Sequence, residues 1–346
     1  MTTTNPVDVR HVSNAPGDPA TLLNLARTGC VWFEMPGRTH IELGGADRAK
    51  FLHNFCTNDI KGLPTGNGCE AFITSIQGKI LGHVFVYADP DVLTLASVSG
   101  CAEKLLRHLS RSQITEEVTF QDRTADWSSL FLVGPAAASV LSQLLGGPIP
   151  VLPEADLGNI VFAFEGSEVR IRRNDWLGLP GFEITVNTAA TSDLVLRLRT
   201  FAPQAGNEVF EFLRISAGFP WYGVDLSDAN LAQEAARTGQ TISFRKGCYL
   251  GQEPIARIDA MGHVNQEVRT LRLETPLPPV PGTELFPLAD PSKSAGRVTS
   301  SAAAPDGSGA VCLALVRRGH EGHGKRLLVG SGAEATAGVV LGIESA

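Results

Sequence analysis

The residues best suited to chemistry stand together in Lys246-Gly247-Cys248-Tyr249-Leu250-Gly251-Gln252-Glu253, with Arg257 shortly after. Gly247 and Gly251 permit tight turns or a close approach of backbone to a ligand, and they bracket one thiol and one aromatic ring. Arg245, Lys246 and Arg257 bring positive charge near the thiol in sequence, and cations favour the thiolate, the nucleophilic and metal-binding form. Cys248 is thus a candidate reactive thiol with Lys246 as a candidate activating neighbour. A buried structural cysteine is the alternative that the residues alone leave open.

The other cysteines, at 30, 56, 69, 101 and 312, form no CxxC pair and no Cys/His cluster with zinc spacing. No metal site is expected. Free cysteines among apolar neighbours are packing residues, and a chain of 346 residues without a disulfide pattern fits a reducing cytoplasm.

The net charge of −7 offers no basic excess for general nucleic-acid or membrane binding. No run approaches 18 apolar residues, so no membrane span is expected, and the start, lacking an apolar h-region, reads as a flexible lead-in over residues 1–29.

From residue 30 the texture is mixed. Cys30–Phe33 and His40–Leu43 read as strands paired across the Pro36-Gly37 turn. Ala46–Phe55 has a helical apolar face, and Glu70–Ser75 with Ile80–Tyr87 forms a hairpin over Gln77-Gly78-Lys79. Val92–Val98 is a strand and Cys101–Ser112 a helix. The pattern restarts with the strand Trp127–Val133 and the helix Pro135–Leu145, which has Pro in its first turn and Gly146 beyond its end. Strands Ile160–Phe164, Glu168–Arg172 and Phe182–Val186 and a helix over Thr191–Phe201 follow. Two α+β units in 30–265 are therefore predicted. Over 266–346, short strands at Val268–Leu273, Glu284–Pro287, Ala295–Ser300, Ala310–Arg317 and Arg326–Val329, broken by Pro and Gly, predict a small β-barrel. Ser300–Gly309 reads as a mobile loop.

Lys246–Glu253 resembles the K-G-C-[YF]-x-G-Q-E signature of the YgfZ family of folate-binding proteins, whose mitochondrial counterparts help mature four-iron, four-sulfur proteins. Gln233-Glu234-Ala235 and Ile242-Ser243-Phe244 resemble that family's approach to the signature, and Met261-Gly262 its mitochondrial branch, although His263–Glu267 lacks the basic residues usual there. A wider likeness is to the glycine-cleavage T-protein. Phe51-Leu52 with Thr57-Asn58-Asp59-Ile60, the stretch Arg173–Ile184 and the stretch Leu213–Asp225 are each similar to one of its segments. Asn58-Asp59 reads as a turn closing a helix end.

This resemblance implies the T-protein fold, α+β in class: two ferredoxin-like units and a C-terminal β-barrel around a central channel that holds tetrahydrofolate. It implies that Glu183 accepts hydrogen bonds from the pterin edge, that Arg214 reaches the ligand or pairs with Asp225, and that Trp221 and Tyr222 offer a stacking wall or pack at an interface. The T-protein's adjacent aspartates fall where this chain has Gly82 and His83. Glycine cannot accept a proton and neutral imidazole lacks a carboxylate's charge, so aminomethyl transfer by the usual route is not expected. The resemblance points instead to a monomeric factor for iron–sulfur client or assembly proteins that acts through Cys248. A lone thiol would share any cluster with a partner, since clusters take four thiolates. The alternatives are a folate-dependent one-carbon transferase and a folate-binding module without chemistry.

Overall fold

The computed structural model describes residues 17–149, 152, 157–332 and 335–341. In chain order the first half carries α1 (Pro19–Thr28), β1 (Val31–Met35), β2 (Thr39–Gly44), α2 (Arg48–Phe55), β3 (Gly68–Thr74), β4 (Ile80–Ala88), β5 (Leu93–Ser97), α3 (Ala102–Ser110) and β6 (Thr119–Asp122). There follow β7 (Trp127–Val133), α4 (Ala137–Leu145), β8 (Asn159–Phe164), β9 (Ser167–Arg173), β10 (Gly181–Asn187), α5 (Thr191–Leu198) and α6 (Asn207–Ser216). Then come α7 (Thr238–Thr241), α8 (Gln252–Met261), β11 (Gln266–Leu273), β12 (Glu284–Pro287), β13 (Gly296–Ala303), β14 (Ala310–Arg317), β15 (Arg326–Val329) and β16 (Thr336–Val340).

The fold is α+β, with two five-stranded antiparallel sheets and a closed six-stranded barrel. One sheet runs β3-β4-β5-β2-β6 and the other β1-β7-β10-β9-β8. The expected β1–β2 hairpin does not form: Val31–Met35 pairs with β7, and Thr39–Leu43 pairs with β5. At Pro36-Gly37 the chain crosses from one sheet to the other. The physical reason is burial. Trp32, Leu130, Leu132 and Ile184 share an apolar cluster with α4 and α5, which a local hairpin could not complete. One strand of the first unit thus completes the sheet of the second.

The two sheets face each other. Side chains alternate across a strand, so Phe182 and Ile184 meet the helices while Glu183 points between the sheets, opposite Phe131 on β7 and Arg172 on β9. On β4, Gly82 faces α3, where an added Cβ would lie 2.6 Å from Leu105, and the alternating positions His83, Phe85 and Tyr87 face the intersheet layer. The barrel has its own core of Leu271, Leu285, Val298, Cys312, Val316 and Val329, and its β13–β14 face packs on α6.

The lead-in expected over 1–29 is corrected in its described part. Residues 19–28 are helical, with Asp18 accepting from the Thr21 amide at 3.0 Å and Pro19 in the first turn. Residues 1–16 lie outside the described residues. Ser300–Gly309 is likewise not all loop, because β13 runs on to Ala303 in register with β14. Among the described residues no helix is long and apolar enough to cross a membrane, and no group of three or more His, Cys, Asp or Glu could hold a metal.

Candidate functional site

Between the sheets lies a buried layer of charge. Glu183 is completely buried. Its Oε1 accepts from Arg38 Nε at 2.7 Å and from Ser129 Oγ at 3.1 Å. Its Oε2 has no hydrogen-bond partner. Beside it, the Arg172 guanidinium stacks 4.2 Å over the Tyr87 ring, with its nearest carboxylate oxygen, on Asp89, 3.8 Å away. None of its three nitrogens is hydrogen-bonded, nor is Arg38 Nη2. The Tyr87 hydroxyl, which Asn174 approaches, completes no well-directed bond either. Buried polar groups are nearly always partnered, so this concentration of open donors, with Glu183 Oε2 and Asp89 Oδ1 as open acceptors, marks a place that a polar ligand or water must complete.

Other groups of the layer are held within the protein, although His40 Nδ1, Asp89 Oδ1 and Asn174 Nδ2 are also open. Arg170 bonds Glu42 at 2.6 Å, Glu168 at 2.8 Å and Thr94 at 3.2 Å. Burial, together with Arg172, Arg38 and Arg170, pushes the His40 pKa well below its usual range, so the ring stays neutral. Burial and the Glu183 charge push the Tyr87 hydroxyl upward.

One wall of the layer is aromatic. Phe131 and Trp176 stack at 5.1 Å with an interplanar angle of 5°. Phe219 lies 4.7 Å and Trp221 5.3 Å from Trp176. The recess bounded by Met35, Arg38, Ser99 and Trp221 holds only about 10 Å³, about what one water needs. As it stands, that recess is too small for a flat ring.

Across Phe219 from Trp176 sits His83, stacked at 5.4 Å. His83 Nε2 lies 2.6 Å from Glu70 Oε1, and Arg237 clasps the same carboxylate through two nitrogens. Burial opposes the charge of Glu70, but Arg237 and His83 outweigh it and hold the carboxyl at about 2. An acid thus stands beside the position of the missing aspartates, on the neighbouring strand β3 and already neutralised.

Three sequence-derived site residues are placed elsewhere. All five N–H donors of Arg214 are taken, by Glu211, Asp225 at 2.7 Å, the Phe219 carbonyl and Ser300. It ties α6 to the barrel and retains no donor for a ligand. Tyr222 is separated from Trp221, with its hydroxyl bonded to Asp228 and Lys104. Lys246 points inward, its Nζ donating to the carbonyls of His53, Cys56 and Asn58 at 2.5, 2.7 and 2.8 Å. These are carbonyls at and just beyond the C-terminal end of α2, where a cation is favoured. With three donors occupied, Lys246 is a structural clamp and not an activator of the thiol.

The segment around that clamp is held firmly except at its tip. Tyr249 is buried with Lys246 Nζ 4.7 Å over its ring. Leu250 exchanges bonds with the Asn54 carbonyl at 2.8 Å and Thr74 Oγ1 at 2.7 Å. Gly251 adopts φ +86°, and a Cβ there would lie 2.4 Å from the Ser75 carbonyl; only glycine fits against the β3–β4 turn. Gln252 opens α8, along which Glu253 and Arg257 are exposed. Gly247 and Cys248 project into solvent. The other cysteines are buried or half-buried, and burial raises the thiols of Cys56 to about 11 and Cys312 to about 12.

Sequence reasoning did not single out Arg38, Glu70, Tyr87, Arg172, Trp176 or Arg237. The period-2 pattern of β4 and β9 carried a signal for two of them, since Tyr87 shares a face with His83 and Arg172 stands directly opposite Glu183.

Residues 23–246 match the family model of the GCVT N-terminal domain. A chloroplastic, transferase-like protein of Arabidopsis thaliana is 27% identical over 90% of this chain and 70% of its own length. An aminomethyltransferase of Rubrobacter xylanophilus is 26% identical over 86% of this chain and 78% of its own. The crystal structure of the glycine cleavage system aminomethyltransferase T from Bartonella henselae superposes with a TM-score of 0.84 at 20% identity, covering 96% of this chain and 90% of that one. The fold is therefore that of the T-protein.

Proposed function

The chain belongs to the GCVT N-terminal domain family, and from that premise we propose that it binds a reduced folate between its sheets and serves iron–sulfur protein maintenance in place of aminomethyl transfer. The carrying observation is the buried Glu183 carboxylate with one oxygen open. A pterin edge offers N–H donors that such an oxygen accepts, and the stacked Phe131–Trp176 pair, with Trp221, suits a flat ring. Tetrahydrofolate, when bound, supplies an acceptor for a one-carbon unit. Glu183 orients the ring edge, the aromatic wall excludes water, and Arg38 and Trp221 admit or retain the ligand.

Group transfer of the T-protein type lacks its acids here. Gly82 faces α3, and His83 faces inward already bonded to Glu70. A carboxyl held at about 2 by Arg237 takes no proton at neutral pH and has little charge left for a cationic centre. The exposed Cys248, at the tip of a clamped segment, is then the group offered to partners: an iron–sulfur client or assembly protein, in the cytoplasm, with this chain as a monomer. The cluster is cargo, touched by Cys248 and held by the partner's ligands.

In cells lacking this protein, wild type is expected to restore four-iron, four-sulfur enzyme activity. Cys248→Ala is expected to fail while still binding reduced folate. Full rescue by Cys248→Ala removes the thiol from the function. One observation favours a one-carbon transferase as a second reading: Glu70 is a carboxylate beside His83. Folate-dependent turnover by wild type that disappears in Glu70→Gln would establish that reading instead.

A further inference from the structure

Arg172 is fully buried, yet its guanidinium makes no hydrogen bond. Its five N–H groups have only the Tyr87 ring beneath them and Asp89 at 3.8 Å, beyond hydrogen-bond reach; Thr94 holds that aspartate's Oδ2 at 2.5 Å, and its Oδ1 is open. On the sheet, Arg172 is the direct cross-strand partner of Glu183. Facing pairs stand with their Cβ atoms roughly 5 Å apart on one face, so an open acceptor, Glu183 Oε2, and an open fork of donors project side by side into one layer.

The charges around them balance. Arg38 pairs with Glu183, Arg170 with Glu42, and Arg172 faces Asp89. An anionic ligand would upset that balance. A neutral heterocycle with an N–H donor and an adjacent oxo acceptor would not.

We propose that Arg172 is a specificity-determining residue of this pocket. Its open N–H groups receive the oxo group beside the ring N–H that Glu183 accepts, so the site selects 2-amino-4-oxo pteridines over 2,4-diamino ones. The inference rests on the folate reading above. In a diamino ring the oxo acceptor is replaced by an amino donor, which leaves the guanidinium opposed and unpaired. Sites built to hydrogen-bond a group discriminate strongly against analogues lacking it.

Calorimetric titration of the full chain with tetrahydrofolate and with its 2,4-diamino analogue, alike in reduced ring and side chain and differing only in amino for oxo, tests this. Wild type is expected to prefer the oxo compound by about ten- to a hundredfold, the range of a charge-assisted hydrogen bond. In Arg172→Met the preference is expected to fall to within about threefold, chiefly through lost affinity for the oxo compound. Equal wild-type affinity for the two compounds overturns the inference without need of any variant. An unchanged preference in folded Arg172→Met overturns it too, leaving Arg172 as a counter-charge and the folate reading standing. Failure of wild type to bind either compound defeats the folate reading itself.

Discussion

The intersheet layer around Glu183 and the segment around Cys248 are built on opposite plans. In the first, ionisable groups from four strands and two connecting loops are buried together, and their charges cancel pair by pair. In the second, Lys246, Tyr249, Leu250 and Gly251 are anchored and a single thiol stands in solvent. On the function proposed above, the first encloses something small and polar and the second is met by something large. Electrostatics teaches the same distinction. Burying a charge is costly unless it is partnered, so the open atoms of the layer carry meaning, whereas an exposed thiol is free to be left alone.

That contrast predicts a gradient of sensitivity. The largest effect is expected for Arg38→Leu, which leaves the buried Glu183 without its ion-pair partner. Denaturant unfolding should show a loss of about 3–5 kcal/mol, and a loss under about 1 kcal/mol would mean that water reaches the layer. Next comes Lys246→Met. It strips three carbonyls of their donor and should lower stability by about 1–3 kcal/mol, reported also by faster proteolysis of the 246–251 segment.

The pH dependence comes third. His40 is held neutral by burial and by Arg172, Arg38 and Arg170, so its folded pKa lies below the unfolded value of 6.5. Its stabilising effect is complete above pH 6.5 and is lost as pH falls through the range below it, because the unfolded chain binds the proton first. The slope reaches about 1.4 kcal/mol per pH unit. Burial lowers His53 and His108 in the same direction. His40→Gln should flatten, without abolishing, the fall in melting temperature between pH 6.5 and 5. An unchanged profile would show that His40 is protonated in the fold. Smallest of all is Cys248→Ser, which should change stability by no more than about 0.5 kcal/mol. A larger loss would mean that the thiol is packed and not presented.

Local patterns carried most of the fold into the sequence. The β3–β4 hairpin, the end of α4 at Gly146 and five of the six barrel strands follow from turn residues and periodicity, while α4 begins at Ala137, with Pro135 in the turn before it and not in its first turn. Partnership between distant residues did not. The turn at Pro36-Gly37 reads as a hairpin, and only the apolar demand of β7 and the helices behind it moves β1 to the other sheet. Glu70 and Arg237 are 167 residues apart, so no spacing could announce their pairing. Lys246 shows how adjacency misleads: it is two residues from the thiol, yet its side chain runs the other way, toward the end of α2. Glu183 was singled out through the resemblance alone, since strand alternation turns it away from the core that Ile184 faces, and only the second sheet, distant in sequence, buries it.

Titration of the purified protein with a reduced folate, side by side with Glu183→Gln, tests the central claim most directly. Wild type should bind at a single site, and the variant, which keeps the shape but not the charge, should bind about ten- to a hundredfold more weakly. Equal affinity of the two proteins, or no binding by wild type, would contradict the account.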